Sequence, residues 1–492
     1  MRSRSTLFAS LSATVLLLTG CGQKSAAKVE VDAGKTTPLA TAEASATVDA
    51  GAKPTTACTP AKGGKYALRF PSDDHVVTSI ASDACGNVLF AGSFKKTLEL
   101  GGAPLEPQDK EDIFLAKFAS NGSHLFSKVI GGTGKQTVRG LGTDGEGHFY
   151  LAGMLDGKVT LGSTVREPAS KGGSNFFVAH LNAEGEHKYS RVVYDEAPGA
   201  QPTAIAVDGE GNTIIAGKFS RSLHLADPPW TSPTGGIFIA KYNAYATHRG
   251  SFIVAADKYP NSISVSSLAL EKDGSILVAG TFENEVDFGK GKTKSAGKTD
   301  MFLAKYTLSG TPAKIELAWV KHYGDNEINS GKSVVVDSEG NSYFAGVDDR
   351  KSPGEPAWKR QRVVELYKHD PSGKKLWGPK YLGMGSKEGI DDPVLAANGT
   401  SFALVGTITE SMNVGAESLE VAKGTKVLFV TTFNDAGKAL SSEASELEMP
   451  TPRQALYDAN QELIVTGNTA TKPFPGTGPY GIFLQKFATK TP

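Results

Sequence analysis

The chain has 492 residues, and its 52 Lys and Arg residues balance 52 Asp and Glu residues, so the formal net charge is zero. This balance excludes the strong basic field of proteins that bind nucleic acid or acidic lipid through charge alone. The 56 glycines and 25 prolines together exceed ordinary usage and favour a fold of many short strands and turns.

The first 20 residues have the order of parts that is typical of a secretory signal peptide. Arg2 and Arg4 precede an apolar stretch, Leu7 to Leu18, which is shorter than the about 20 residues that span a bilayer. The stretch ends in Leu18-Thr19-Gly20-Cys21, which resembles the bacterial lipobox. The resemblance implies that Cys21 is lipidated and begins the mature protein, and Gly22 after it favours the outer membrane. The alternative is an ordinary secretory signal followed by a chance cysteine.

The segment after the signal is poor in large apolar side chains and rich in Ala, Thr, Lys, Gly and Pro. Such a segment cannot offset the entropy of ordering, so we expect residues 21–64 to form a disordered tether behind the lipid anchor. Two cysteines besides Cys21 remain, Cys58 and Cys85, and an oxidising compartment favours a disulfide between them. Two unpaired thiols are the alternative.

From Lys65 onward the sequence contains seven repeats of one unit, which is the signature of a repeat architecture. Each unit has a turn marker, then a strand that ends in a small residue and glycine, as in Ala91-Gly92, then an apolar strand such as Ile113 to Phe118. The markers recur every 60 to 65 residues and are Asp83, Asp144, Asp208, Asp273, Asp337, Asn398 and Asp458.

Each unit predicts four strands, a to d, of which strand c is apolar at nearly every position. That pattern indicates a strand covered on both faces, as in a blade packed between two other blades. The last unit ends after its strand c at Phe487, whereas Lys65 to Phe70 is a spare strand d before the first unit. We therefore predict an all-β fold, a seven-bladed β-propeller over residues 65–487 that its N-terminal strand closes, followed by a tail at 488–492.

The repeated unit resembles the SBBP repeat of bacterial secreted propellers. The resemblance is carried best by Asp208-Gly209-Glu210-Gly211-Asn212, Phe288-Gly289 and the stretch from Asp300 to Tyr306, and it covers roughly residues 65–487. Units five and six depart from the pattern, since Glu365 and Tyr367 interrupt strand c of unit five and unit six lacks the Asp marker. The resemblance implies the architecture and says little about biochemistry.

The residue patterns favour structural roles over chemistry. A calcium loop needs several oxygen ligands at alternate positions, but each turn repeats one Asp and a glycine, so we predict no metal and no cofactor. His75 is the only histidine close to a channel mouth, and we expect it to face solvent. Gly131 to Lys135 follows a strand d and precedes no helix, which predicts a connection between blades rather than a phosphate site. Catalytic motifs are absent, so we predict that the protein is not an enzyme.

The geometry of a propeller places its b–c and d–a connections on one face and its a–b and c–d turns on the other. Here the b–c connections are long, and long loops on a rigid scaffold are where binding usually occurs. The fifth contains a small basic group, Trp358, Lys359, Arg360 and Arg362, which is either a solvated loop or part of a contact surface. We expect a monomeric scaffold, anchored to the membrane by its lipid, that binds a protein or glycan and no nucleic acid. The alternatives are a structural subunit of an envelope assembly and a lyase or hydrolase acting on envelope polysaccharide or peptide.

Overall fold

The structure is a computed structural model, and it describes residues 64–72, 75–256, 262–310, 312–351, 360–384, 386, 389–422, 424–445, 447, 449–470 and 480–487. The predicted signal peptide with Cys21, the predicted tether up to residue 63 with Cys58, and the predicted tail at 488–492 lie outside the described residues, as do Trp358 and Lys359. Within the described part of the chain, no helix is both long and apolar enough to cross a membrane.

The described residues form seven antiparallel units of four strands, and five of the b–c connections add short pairings of their own. In chain order the strands are β1 (Tyr66–Ser72); blade one, β2 (Val76–Ser82), β3 (Val88–Phe94), β4 (Asp112–Phe118) and β5 (His124–Ile130); blade two, β6 (Gln136–Thr143), β7 (Phe149–Leu155), the hairpin β8 (Val159–Leu161) and β9 (Thr164–Arg166), β10 (Ser174–Leu181) and β11 (His187–Asp195); blade three, β12 (Gln201–Val207), β13 (Thr213–Phe219), the hairpin β14 (Ser222–His224) and β15 (Trp230–Thr231), β16 (Gly236–Tyr242) and β17 (His248–Ala255); blade four, β18 (Ile263–Leu270), β19 (Ile276–Phe282), the hairpin β20 (Glu285–Asp287) and β21 (Lys292–Lys294), β22 (Asp300–Ser309) and β23 (Lys314–Tyr323); blade five, β24 (Ile328–Val336), β25 (Ser342–Lys351), β26 (Arg360–His369) and β27 (Lys375–Leu382); blade six, β28 (Asp391–Asn398), β29 (Ser401–Ile408), the hairpin β30 (Met412–Asn413) and β31 (Ser418–Leu419), β32 (Val427–Phe433) and β33 (Ala439–Ala444); and blade seven, β34 (Thr451–Tyr457), β35 (Leu463–Ala470) and β36 (Tyr480–Phe487).

The units close into a ring. The N-terminal strand β1 pairs with β36, so that Tyr66 lies opposite Lys486 and Ser72 opposite Tyr480, and it completes blade seven as its strand d. The seven strands a contact one another in order, β2 with β6 and so on to β34, which in turn contacts β2. The prediction of a seven-bladed β-propeller closed by its N-terminal strand is confirmed, and closure leaves no first or last blade with an open side.

Strand c of each blade is buried between neighbouring blades, as its apolar sequence predicts. Every residue of β4 is buried, and the first seven residues of β22 are buried too. Its neighbours on the two sides supply the cover: the core around Phe302, for example, also contains Ile239 of blade three. Burial on both faces explains why the strand shows no alternation of polar and apolar residues.

The a–b turns form as the sequence predicts, with one correction. In the first of them the Asp83 Oδ1 atom accepts hydrogen bonds from the backbone N–H groups of Cys85 and Asn87, at 3.0 and 2.9 Å. In blade four this first position is occupied by Glu271 rather than Asp273, because the N–H groups of Glu271 and Gly274 make the backbone bonds that define the turn. Asp273 lies two residues into the turn and accepts from the N–H of Ser275 at 2.8 Å. The sequence prediction of Asp273 as the marker of this turn was therefore wrong by two residues. A carboxylate at position 271 or at position 273 fits the spacing of the repeat equally well.

The long b–c connections pack against the outside of the ring. The hairpin of blade three extends the sheet of blade two, since β14 pairs with its strand d, β11. Phe288 of the blade-four hairpin is fully buried, and a Cβ atom at Gly289 would lie 3.2 Å from Phe252 and 3.3 Å from Leu317, which belong to the strands d of two adjacent blades. In the described connections of blades three and four, these residues therefore cover the outer grooves between blades.

A cation in strand c fastens each of several blades to the next one. The Lys117 Nζ atom lies 3.0 Å from the Asp83 carboxylate in its own blade and donates to the carbonyl oxygen of Ala183 in blade two at 3.5 Å. The same arrangement recurs at Lys305 and Lys486, and in blade two His180 replaces the lysine and contacts the carbonyl oxygen of Ala244 at 2.8 Å. These contacts reach the c–d turn of the following blade and run around one end of the ring.

Candidate binding site at the channel mouth

The two ends of the ring differ in the connections that emerge from them, and we call them the loop face and the turn face. The loop face is the end at which the b–c and d–a connections emerge, for example Gly131 to Lys135, which joins β5 to β6 as predicted. The turn face is the end with the a–b and c–d turns, for example Asp83 to Asn87. Because every strand a runs from the loop face to the turn face, the order of residues along it also gives depth in the channel.

Each strand a carries a β-bulge near its loop-face end. The register against strand b shifts between Val77 and Ser79 in blade one and at the matching place in the other six blades, although in blade six the shift extends from Asp391 to Val394. A bulge inserts an extra residue and re-aims its side chain. The extra residues lie five positions before the turn marker of their blade and line a central cavity of about 260 Å³; they are Thr78, Arg139, Thr203, Ser266, Lys332, Pro393 and Arg453.

Three of these seven residues are cations. Arg139, Lys332 and Arg453 come from blades two, five and seven. Around the ring, Lys332 lies three blades after Arg139, Arg453 two blades after Lys332, and Arg139 two blades after Arg453. Within the part of the chain that the structure describes, none of the three makes an ion pair or a side-chain hydrogen bond. Desolvation lowers the pKa of the Arg139 guanidinium and the Glu111 carboxylate opposes that shift, but an arginine stays charged in either case.

The channel lining changes with depth. Next to the bulge residues, Ser79 and Gln454 join neighbouring strands a, since the Ser79 hydroxyl accepts from the N–H of Leu141 at 3.1 Å and the Gln454 amide oxygen accepts from the N–H of Ile80 at 2.9 Å. The next layer toward the turn face is largely apolar and consists of Leu141, Ile205, Leu268, Val334, Leu395 and Ala455. The lining described for this cavity contains no carboxylate and no imidazole.

A second cavity, of about 490 Å³, adjoins the channel mouth on the loop face, since both cavities share Thr78 and Arg139. Its wall is mixed in charge, with Glu111 and Asp156 facing Lys135. The Asp156 Oδ1 atom accepts from the N–H of Lys135 at 2.7 Å, which ties the d–a connection to the following b–c connection. The loop face therefore combines a cationic channel mouth with a balanced polar depression beside it.

His75 does not face solvent. Its side chain is only 2% exposed, its ring meets that of Phe94 edge-on at a centroid distance of 6.0 Å, and its Nε2 atom lies 3.4 Å from the carbonyl oxygen of Thr97. The prediction was wrong because the b–c connection of blade one folds back over the start of β2, and no pattern in the residues indicates this cover.

The predicted basic group is partly inside a strand. Arg360 and Arg362 belong to β26 rather than to the b–c connection, because β25 and β26 pair all the way from Ser342 to Lys351. The Arg360 Nη2 atom lies 2.6 Å from the Glu327 carboxylate, and the Arg362 guanidinium pairs with Asp391. Both cations are therefore neutralised locally, and a role of this group in binding stays a prediction.

Of the two cysteines in the predicted disulfide, only Cys85 lies among the described residues. Cys85 is disulfide-bonded, and it lies in the a–b turn of blade one on the turn face. Its predicted partner Cys58 lies outside the described residues, so the pairing itself stays a prediction. The described residues include no group of three or more His, Cys, Asp or Glu side chains arranged to hold a metal ion.

Blade five has a buried carboxyl group where the other six blades have phenylalanine. Glu365 lies opposite Gly346 in the sheet, as Phe302 lies opposite Gly280 in blade four. It is 7% exposed, accepts a hydrogen bond from the Tyr367 hydroxyl, and has an oxygen 3.7 Å from the Arg350 guanidinium. Burial raises the pKa of Glu365, and the Tyr367 hydrogen bond and Arg350 oppose the rise without cancelling it.

We expect Glu365→Gln to stabilise the protein at neutral pH. The folded chain holds the Glu365 proton more tightly than the unfolded chain does, so stability falls as pH rises from the unfolded pKa, about 4.3, through the higher folded pKa. The variant lacks that loss, so its melting temperature should exceed that of the unaltered protein at pH 8 and approach it at pH 4. Glu417→Gln, at an exposed position, is the matched control. A difference that grows toward acid pH would contradict the expectation.

Comparisons with known proteins add likeness of fold only. No family model matches the chain, and no curated protein matches it significantly. Among solved structures it is similar to a Bacteroides caccae protein of unknown function (14% identity, 62% of this chain, 82% of that chain, TM-score 0.32). It is also similar to Kuenenia stuttgartiensis hydrazine synthase (8% identity, 89% of this chain, 99% of that chain, TM-score 0.42). A third similar structure is a Dyadobacter fermentans protein of unknown function (12% identity, 70% of this chain, 93% of that chain, TM-score 0.38). The resemblance to the SBBP repeat thus stays a prediction at the level of family, whereas the seven-bladed propeller that it implied is present.

Proposed function

We propose that the chain is a lipid-anchored, non-catalytic β-propeller of the bacterial cell envelope that binds a protein or glycan partner at its loop face. The observation that carries the proposal is the channel mouth on that face, where bulged residues of all seven blades line a central cavity beside a second polar cavity. Concave sites with a few convergent polar groups are where ligands usually bind. The lining contributes hydroxyls and cations, which favours binding over acid–base catalysis.

The point at which the chain enters the ring lies away from the channel mouth. The described chain enters at Tyr66, which pairs with Lys486 near the end of strand c of blade seven, at the end of the ring where the other blades have their c–d turns, and Tyr66 therefore lies on the turn face. The loop face lies at the opposite end of the strands from this entry point, and we propose it as the face that is accessible to a partner.

Site-specific photo-crosslinking in intact cells tests the proposal. A photoreactive phenylalanine analogue replaces Ser266, an exposed channel residue at the loop face, or Glu210, an exposed residue of an a–b turn. We expect discrete adducts from position 266 and none from position 210. Fractionation of the same cells should place the protein in the membrane fraction, and Cys21→Ser should release it. Adducts of equal pattern from both positions, or none from position 266, would count against loop-face binding.

One observation favours the second candidate, a structural subunit of an envelope assembly. Tyr189 and Tyr245 are 42% and 57% exposed, and their rings meet edge-on at 5.0 Å on the turn face between blades two and three. Exposed aromatic rings are enriched at protein interfaces. Adducts formed from a probe at position 245, with none from position 266, would support this second function in place of the first.

A further inference from the structure

We infer that the channel mouth is a site for a compact multivalent anion, a ligand with two to four negative charges carried by phosphate or carboxylate groups. The inference goes beyond the proposed loop-face binding function, since it gives the channel mouth a small ligand in addition to a protein or glycan partner. Its core is the set of three channel cations, Arg139, Lys332 and Arg453, which the bulges of three separate blades direct to one axis.

The described lining of the channel contains no carboxylate to balance the three cations. The carboxylate that acts on Arg139 is Glu111, which lines the adjoining cavity and not the channel. Asp392 precedes the channel residue Pro393, and its oxygen lies 3.5 Å from the Lys426 Nζ atom. Buried lysines of strand c elsewhere in the described chain are paired, as Lys117 is with Asp83 and Lys486 is with Asp458. Like charges gathered in a narrow cavity repel one another, and an anion that contacts all three removes the repulsion.

The remaining positions of the ring suit the same ligand. Thr78, Thr203 and Ser266 place hydroxyl groups between the cations, and a hydroxyl can donate to an anionic oxygen. None of these seven positions carries an acid that would repel an anion. Planar guanidinium groups at Arg139 and Arg453 match carboxylate and phosphate oxygens in geometry, and Lys332 adds a point charge.

The size and depth of the cavity limit the ligand. The channel volume of about 260 Å³ is below the roughly 300–1,000 Å³ of sites for drug-sized ligands, so a compact anion fits better than a chain of sugars or a folded peptide. The apolar layer that includes Leu141 and Leu268 lies deeper in the channel, and charged groups avoid such a layer. The anion is therefore held at the mouth, where the cations are.

Calorimetric titration of the full-length protein with pyrophosphate, citrate and acetate tests the inference. We expect pyrophosphate or citrate to bind with an affinity that falls as salt rises, and acetate not to bind. Each single substitution, Arg139→Gln, Lys332→Gln or Arg453→Gln, should weaken binding about ten- to a hundred-fold, since each removes a charged hydrogen bond. The two multivalent probes distinguish a phosphate-bearing ligand from a polycarboxylate.

A channel variant that carries all three of these substitutions removes three positive charges, so it needs a control that removes the same number elsewhere. Arg221→Gln, Arg249→Gln and Lys374→Gln together remove three exposed cations from outside the channel lining. The control should bind the anion as the unaltered protein does, whereas the channel variant should bind none and should still melt at or above the unaltered temperature without anion. Saturating anion should raise the melting temperature of the unaltered protein and the control only.

The outcomes separate the two proposals. Equal loss of binding in the channel and control variants, or no binding of either multivalent anion at millimolar concentration, overturns the anion site. If loop-face crosslinks then persist, the binding function stands with a ligand of another kind. If the anion binds but position 266 yields no crosslinks, the site holds a small ion and the partner-binding function fails.

Discussion

Substituting Lys486 by methionine should destabilise the protein by about 3–5 kcal/mol, because it leaves the buried Asp458 carboxylate and the half-buried Glu462 carboxylate without a counter-charge at the seam of the ring. The Lys486 Nζ atom is fully buried and lies 2.7 Å from the Asp458 carboxylate and 2.6 Å from that of Glu462. It also donates to the carbonyl oxygen of Ser120 at 2.8 Å, which joins blade seven to blade one. Tyr66 of the N-terminal strand lies over the same ammonium group, at 5.8 Å from its ring centroid. Urea denaturation followed by tryptophan fluorescence measures the loss.

Lys241→Met is the matched control for this effect. Lys241 occupies the same position in strand c of blade three, opposite Ile214, but it is half-buried and forms no ion pair in the described part of the chain. We expect its change in stability to stay within about 0.5 kcal/mol. Adding Asp458→Asn to Lys486→Met should recover part of the loss, since the amide oxygen can still accept from the N–H groups of Asn460 and Glu462. Equal losses at positions 241 and 486 would show that the ion pair is not the cause.

The architecture could be predicted because it is repeated. Each of the seven units repeats a turn marker, a small residue followed by glycine, and an apolar strand, so the blade is predicted seven times over. The strand that is missing after Phe487 and the spare strand before Val76 together indicated that the ring closes. The departures in units five and six did not alter the count. Glu365 is accommodated by pairing with Tyr367 and Arg350, and the turn at Asn398 closes with one residue fewer than its counterparts.

The channel cations were missed because a bulge leaves no mark in a hydrophobic pattern. Strand a mixes polar and apolar residues, so Arg139, Lys332 and Arg453 were indistinguishable from ordinary solvent-facing residues. A usable signal existed in the spacing, since the channel residue lies five positions before every turn marker once Glu271 replaces Asp273. The residues that the long connections cover could not be predicted for a related reason. Their apolar residues, such as Leu223 and Phe288, pack on the outer wall, and only the fold shows what they cover.

The glycine of the repeated small-Gly pair should be the least tolerant position of each blade, and Gly217→Ala tests this in blade three. A Cβ atom there would lie 2.2 Å from the carbonyl oxygen of Gln201, 2.7 Å from the Cα atom of Pro202 and 2.9 Å from the Phe238 ring. The bulge in strand a brings these backbone atoms close, and they cannot move without breaking the pairing of β12 with β13. We expect a loss of about 3 kcal/mol, the upper end for overpacking, in thermal and urea denaturation.

Gly209→Ala, in the turn that joins the same two strands, separates this steric cause from a general cost of replacing glycine. Nothing lies within 4 Å of a Cβ atom at Gly209, and its backbone is outside the left-handed region. The variant should therefore keep its stability or gain up to about 1 kcal/mol from a less flexible unfolded chain. Because the bulge that makes Gly217 necessary is also the bulge that turns Thr203 into the channel, the same glycine supports both the packing of the blade and the lining of the candidate site. A Gly217→Ala protein as stable as the unaltered one would mean that the strands separate more easily than their pairing indicates.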